Sequence, residues 1–234
     1  MKNSIVNYLV IAAMVILAAF SGCKKEETGV NDNNGNSSDT SVVTATNVIE
    51  GNNNIAKVVA VIELIGDEDY EKAGTNDIIV STTYQNNSFQ FTLPTIDDKY
   101  LKKFPHWAIF QETRSTEWAN LKTYLLECLV ALDVNDDELG ILVYGDNMLE
   151  AFSGKVNFYC WAYYVYSNID AKITNNGLYT DEHYKITHDL DLKRGWNLVY
   201  ENRDNIGKKV TYTTEKLENV NLNWYFIRNG EYKK

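Results

Sequence analysis

Between residues 184 and 192 apolar and polar side chains alternate without a break. Tyr184, Ile186, His188, Leu190 and Leu192 fall on one side of an extended chain, and Lys185, Thr187, Asp189 and Asp191 on the other. A helix would scatter these two sets around its axis, whereas the period of two in a strand gathers each on one face. Register is then tightly specified, because a slip by one residue would turn Asp189 and Asp191 into the core at a large desolvation cost. The same period recurs at Phe89, Phe91 and Leu93, and at Val220, Leu222, Trp224 and Phe226. Each reads as a strand with one wet face. Residues 55–65 and 156–166 are apolar on both faces and predict doubly covered strands.

Short Asn, Asp and Gly segments punctuate these runs. Gln85-Asn86-Asn87, Val134-Asn135-Asp136-Asp137, Lys193-Arg194-Gly195 and Asn205-Ile206-Gly207 each lie between two strand-like stretches, which is a hairpin signal. About ten antiparallel strands at this spacing predict an all-β fold: a β-sandwich, immunoglobulin-like or transthyretin-like, with a β-barrel as the alternative. Residues 101–121 read as a loop with one helical turn near 116–120. A strand follows, in which Tyr124, Leu126, Cys128, Val130 and Leu132 alternate. The break near 101–120 leaves open a division of the domain at 42–234 into two sub-domains. Cys128 and Cys160 lack the spacing of a redox or zinc motif, and their sequence positions leave both two buried thiols and one disulfide open.

The amino-terminal region has a different character. Lys2 precedes a run that is apolar from Leu9 to Phe20 and ends in Ser21-Gly22-Cys23. That run is short of the roughly 18 residues a spanning helix needs, and it has the form of a secretory signal. Small residues directly before a Cys resemble a bacterial lipobox, which implies cleavage after residue 22 and diacylation of the Cys23 thiol. Residues 24–41 are polar apart from Val30, too poor in apolar surface to fold alone. As a flexible coil they would hold the domain on the order of 23 Å from the anchor. Lys25-Glu26-Glu27 resembles the export signal that follows the lipidated Cys in surface lipoproteins of Bacteroidota.

Two further segments carry a wider resemblance. Residues 191–200, reading DLKRGWNLVY, and the closing Trp224-Tyr225-Phe226 are similar to the C-terminal pattern of small Bacteroidota surface lipoproteins. Phe89-Gln90-Phe91-Thr92-Leu93-Pro94 and the hairpin at 131–145 fit the same pattern. The resemblance implies a β-rich domain anchored at the outer membrane, on the cell surface. It brings no catalytic residues.

No GxSxG, HExxH, Walker loop or GxGxxG occurs in the chain. His106, His183 and His188 are too scattered to suggest a metal cluster, and His188 reads as a core or rim histidine. The acidic loops Asp67-Glu68-Asp69 and 133–138 read as solvated turns, the second lacking the glycine and final acid of an EF-hand. With a net charge of -10 and no Lys/Arg run longer than two, the chain lacks the footprint of a nucleic-acid binder. Aromatics are the enriched class, 16 Tyr, 5 Trp and 8 Phe, and they cluster on one strand. Tyr159, Trp161 and Tyr163 are the candidate ligand-binding side chains, since such rings stack on sugars. The reading is a non-enzymatic binding module for an extracellular glycan, peptide or envelope partner, held at the membrane by its lipid, with no cofactor or metal. A fimbrillin-like assembly subunit is the alternative, and an unrecognised hydrolase a weaker one.

Overall fold

Fourteen strands and a single α-helix make up the described part of the chain. The computed structural model describes residues 40–62, 77–103, 120–179 and 184–230, which belong to one unit, residues 35–234. Cys23 and the Lys25-Glu26-Glu27 segment lie outside the described residues, as do His106, His183, Asp67-Glu68-Asp69 and most of the 101–121 loop.

The strands are β1 (Ser41–Ala45), β2 (Lys57–Ile62), β3 (Asp77–Thr83), β4 (Phe89–Leu93), β5 (Lys102–Lys103), β6 (Lys122–Leu126) and β7 (Leu129–Leu132). They continue with β8 (Glu138–Asp146), β9 (Phe158–Ser167), β10 (Ala171–Tyr179), β11 (Lys185–Leu192), β12 (Gly195–Asp204), β13 (Lys209–Thr213) and β14 (Asn223–Arg228). The fold is all-β, with more strands than the ten expected because several are short or split. One hydrogen-bonded network holds twelve of them, and β1 pairs with β4 in a separate two-stranded sheet. The network runs from β10 to β3 without those two strands pairing, so no barrel closes among the described residues.

The sandwich arises where the network splits. Strands β8 and β9 pair only over Tyr144↔Ala162, Gly145↔Trp161 and Asp146↔Cys160. Beyond that point β8 continues against β7, and β9 continues against β6. A Cβ on Gly145 would overlap the Cys160 carbonyl oxygen and the Met148 side chain, so the junction requires glycine. The two arms then bury side chains against one another. Val58, Ala60, Leu129, Leu142, Trp224 and Phe226 from one arm share a core with Tyr124, Leu126, Ala162, Tyr164 and Tyr166 from the other. The β1–β4 sheet adds Val43, Ala45, Phe89, Phe91 and Leu93 to this core, with the Phe89 ring edge-on to Trp224 at 5.2 Å.

A second core forms on the other face of β9. Tyr163, Val165 and Val199 are covered there by Ile173, Leu190 and Leu192, while Val210 and Tyr212 complete the cluster. Residues of β9 are therefore buried on both sides over most of the strand, as the doubly apolar run 156–166 predicts. Leu190 and Leu192 are buried and Asp189 and Asp191 exposed, so the register argued from alternation holds in β11.

Other expectations need correction. Lys193-Arg194-Gly195 does not close a hairpin: β13 lies next to β11, parallel to it, and pairs on its other edge with β12. Gln85-Asn86-Asn87 closes only the Gln85↔Ser88 bridge, with Asn86 and Asn87 both at positive φ, and β4 then leaves β3 for β1. The alternation through Cys128, Val130 and Leu132 breaks at Glu127 and Cys128, where the strand changes partners. Leu129 and Ala131 become the buried pair. Strand β14 has no wet face, because the helix α1 (Met148–Phe152) covers Tyr225 and Ile227 together with Val143. The β7–β8 and β12–β13 hairpins form as expected.

Candidate functional site

Strand pairing places the candidate aromatics against a charged strand. Going along β9 away from the second core, Tyr163, Trp161 and Tyr159 share one face, and their partners on β12 are Val199, Glu201 and Arg203. Tyr212 of β13 pairs with Glu201 on its other side. The covering layer ends near Tyr163, which is 4% exposed, and Trp161 and Tyr159 beyond it are half-buried. The result is a recess of about 290 Å³. Tyr163, Tyr212 and Glu201 lie deepest, Trp161 and Tyr159 flank them, and Leu125 and the exposed Glu127 complete the lining. All three aromatics singled out from the sequence line it. Tyr166 and Tyr164, their neighbours on the strand, point into the other core.

Glu201 is 8% exposed and bonded to Arg203, whose Nη2 lies 2.8 Å and Nε 3.0 Å from the same carboxylate oxygen. Burial pushes the Glu201 pKa up, against the opposing pull of Arg203 and of the Tyr212 hydroxyl. The Arg203 guanidinium also lies 5.9 Å from the ring centroids of Tyr159 and Tyr184. Aromatic faces and a carboxylate thus hold it from several sides. Tyr184 is fixed in turn by a 3.1 Å bond from its hydroxyl to Asn205 Oδ1. Burial raises the pKa of Tyr163 and Tyr212, so both hydroxyls stay protonated and able to donate.

Trp161 stands between Phe152 of α1 and Tyr163, edge-on to both rings, at 6.0 and 6.3 Å. Its indole Nε1 is buried and has no hydrogen-bond partner among the described residues. A buried donor left unpaired is uncommon in folded proteins. His188 lies in the second core, 2% exposed, with its ring stacked 5.0 Å from Tyr212. Desolvation lowers its pKa to about 4, so it is neutral at physiological pH.

The sequence reading missed Glu201, Arg203, Tyr212 and Glu127. A signal for the first two exists in the chain: an acid and a base two residues apart continue the face of β12 on which Val199 lies. Nothing local points to Tyr212 or Glu127, which arrive by pairing and by the kink between β6 and β7.

The remaining candidates are occupied otherwise. In the 133–138 loop the Asp133 carboxylate accepts the backbone N–H groups of Asn135 and Asp137 at 2.7 and 2.9 Å, which holds its pKa low. Asp136 pairs with Lys57 at 2.6 Å. Among the described residues no cluster of His, Cys, Asp and Glu is arranged to hold a metal. Cys128 and Cys160 are not joined in a disulfide, and burial pushes the Cys160 thiol up to about 12, far from a reactive thiolate. A second recess of about 280 Å³ at Asn53, Tyr84 and the 85–87 turn carries no charged side chain. No protein-family model matches the chain, and no curated protein or solved structure is significantly similar to it.

Proposed function

We propose that the chain is a lipid-anchored surface protein whose sandwich domain binds an extracellular glycan without chemically changing it. What supports the reading is the recess over β9, β12 and β13, where Tyr159, Trp161, Tyr163 and Tyr212 surround the buried Glu201 and its half-buried partner Arg203. Flat rings with polar tips beside a carboxylate and a guanidinium suit a ligand that has both apolar faces and hydroxyls. Anchoring through Cys23 and display through Lys25, Glu26 and Glu27 rest on the sequence, and among the described residues no helix is long and apolar enough to cross a membrane. Nucleic acid is not a partner in this reading, and no cofactor is needed.

A glycan array probed with the full chain tests the reading. Selective binding that Tyr159→Ala removes is expected, and an array with no hits overturns it. Two carboxylates, Glu127 and Glu201, line the same recess, so release of reducing sugar from a bound glycan would replace binding with hydrolysis. For the anchor, Cys23→Ala should free the protein from membranes and end acyl labelling. Protease added to intact cells should remove the domain.

A further inference from the structure

We infer that the end of the sheet where β9, β11 and β13 begin and β12 finishes docks on an anionic lipid surface, Phe158 and Ile206 entering among the headgroups and nearby lysines meeting their charge. Phe158 is 58% exposed and Ile206 70%. Single exposed apolar side chains are ordinary, but strand pairing brings these two together. Phe158 pairs with Asp204, and the Asn205 N–H donates to the Asn157 carbonyl at 2.9 Å, so the turn that carries Ile206 lies against the start of β9. That turn is firmly held. Asp204 Oδ1 accepts the Gly207 N–H at 2.7 Å, the Tyr184 hydroxyl donates to Asn205 Oδ1 at 3.1 Å, and the Lys208 carbonyl accepts the Lys185 N–H at 2.8 Å. Ile206 is thus presented outward by a bonded turn.

Charge names the partner. The segments that build this end, residues 155–158, 184–185 and 204–209, hold Lys155, Lys185, Lys208 and Lys209 against one acid, Asp204, in a chain whose net charge is -10. Lys209 is the Cα partner of both Asp204 and Lys185, so basic side chains from neighbouring strands converge here. Apolar side chains with lysines around them match a bilayer interface, where rings and branched chains enter the headgroup boundary and each lysine gains from anionic lipid. Acylation at Cys23, proposed above, puts such a surface within reach. Ser41 pairs with Leu93, next to Pro94, whose carbonyl accepts the Trp196 indole N–H at 2.7 Å, so β1 begins near the start of β12. The docking end lies at the finish of β12, about 30 Å away for ten residues of strand. The 17 residues between Cys23 and Ser41 can span about 60 Å when extended, enough for that end to turn onto the membrane that holds the anchor.

The experiment sediments the polypeptide from Lys24 onward, without signal or lipid, with vesicles of phosphatidylcholine alone or mixed with phosphatidylglycerol; the whole described fold lies within the unit at residues 35–234, which this polypeptide contains. Because no acyl chain is present, the result does not depend on the anchor, which Cys23→Ala tests separately. Binding to the anionic vesicles and little to the neutral ones is expected, weakening as salt rises. Phe158→Ser with Ile206→Ser should lower that affinity at least tenfold at an unchanged melting temperature, and Ile206→Ser alone, in a turn outside the core, should lower it several-fold. Lys155→Gln and Lys209→Gln should each lower it about fivefold. Equal binding to both kinds of vesicle, or none to the anionic ones, overturns the proposal. So does full affinity in the double serine variant together with competition by soluble dextran sulfate, which would make this end a site for a polyanion instead of a membrane.

Discussion

The two faces of β9 are made of similar side chains and have different fates. On one face Cys160, Ala162, Tyr164 and Tyr166 all lie in the core between the arms of the sandwich. On the other, Val165 and Tyr163 are covered, but Trp161 and Tyr159 run past the end of the covering layer and into the recess. Tyr164 and Tyr159 are the same residue on the same strand. What separates them is whether another layer lies above, and that is decided by β10 and β11, residues distant in sequence. A site on a sheet is a place where covering stops.

Substitutions on the two faces put this contrast to the test, and the largest effect belongs to the closed face. Tyr164→Ala removes a buried ring from the interior and should cost about 3–5 kcal/mol by chemical denaturation. Tyr159→Ala, over the recess, should cost under about 1 kcal/mol while abolishing glycan binding. Equal losses would mean that the second face is closed after all.

His188 lies under the covered half of the second face and gives it a pH signature. Its folded pKa of about 4 lies below the unfolded value near 6.5, so the unfolded chain binds the proton more readily. Its contribution is intact above pH 6.5 and is lost as the pH falls toward 4, an effect on the order of 3 kcal/mol. His188→Phe keeps the stack on Tyr212 and should flatten this acid limb. An unchanged limb in the variant would assign the loss to other groups.

Glu201 stands at the boundary, and its sign is the reverse. Its pKa is raised by burial, so its ionised form becomes costlier to the folded state as the pH climbs through the carboxylate range. Glu201→Gln removes that cost, and Arg203, whose side chain is 36% exposed, can recover water. Net stability at neutral pH should change by less than about 1 kcal/mol, and glycan binding should fall at least tenfold. A loss of several kcal/mol would make the pair structural. The smallest effect is expected at Cys160: the closed face should leave its thiol unmodified by iodoacetamide at pH 8 in the folded protein, whereas rapid alkylation would show that face to be open.

Period-two alternation made the strands themselves legible. In β11 and β4 the side chains predicted to face inward do so, since each strand has one covered side. Partnership was less legible. The turn at Lys193 and Arg194 looks like a hairpin, yet β13 enters beside β11, because a long-range pairing can override a local turn signal. Wetness failed at β14, where five helical residues cover Tyr225 and Ile227. For the site, the aromatic half was readable from one strand. The charged half was not, because Glu201 meets Trp161 only through strand pairing and Glu127 reaches the recess only through the kink after β6.

The small β1–β4 sheet has a mechanical consequence. Five residue pairs, from Ser41↔Leu93 to Ala45↔Phe89, are all that tie the first strand to a ladder, and that strand directly follows the segment leading from the proposed anchor. A load applied between the amino terminus and the sandwich therefore reaches this ladder before any other. Pulled across its axis it opens one pair at a time from Ser41, drawing Val43 and then Ala45 out of the core. The strand is thus placed to act as a fuse: it yields first, lengthens the leash, and leaves the recess on β9 intact at the far end of the chain that holds it.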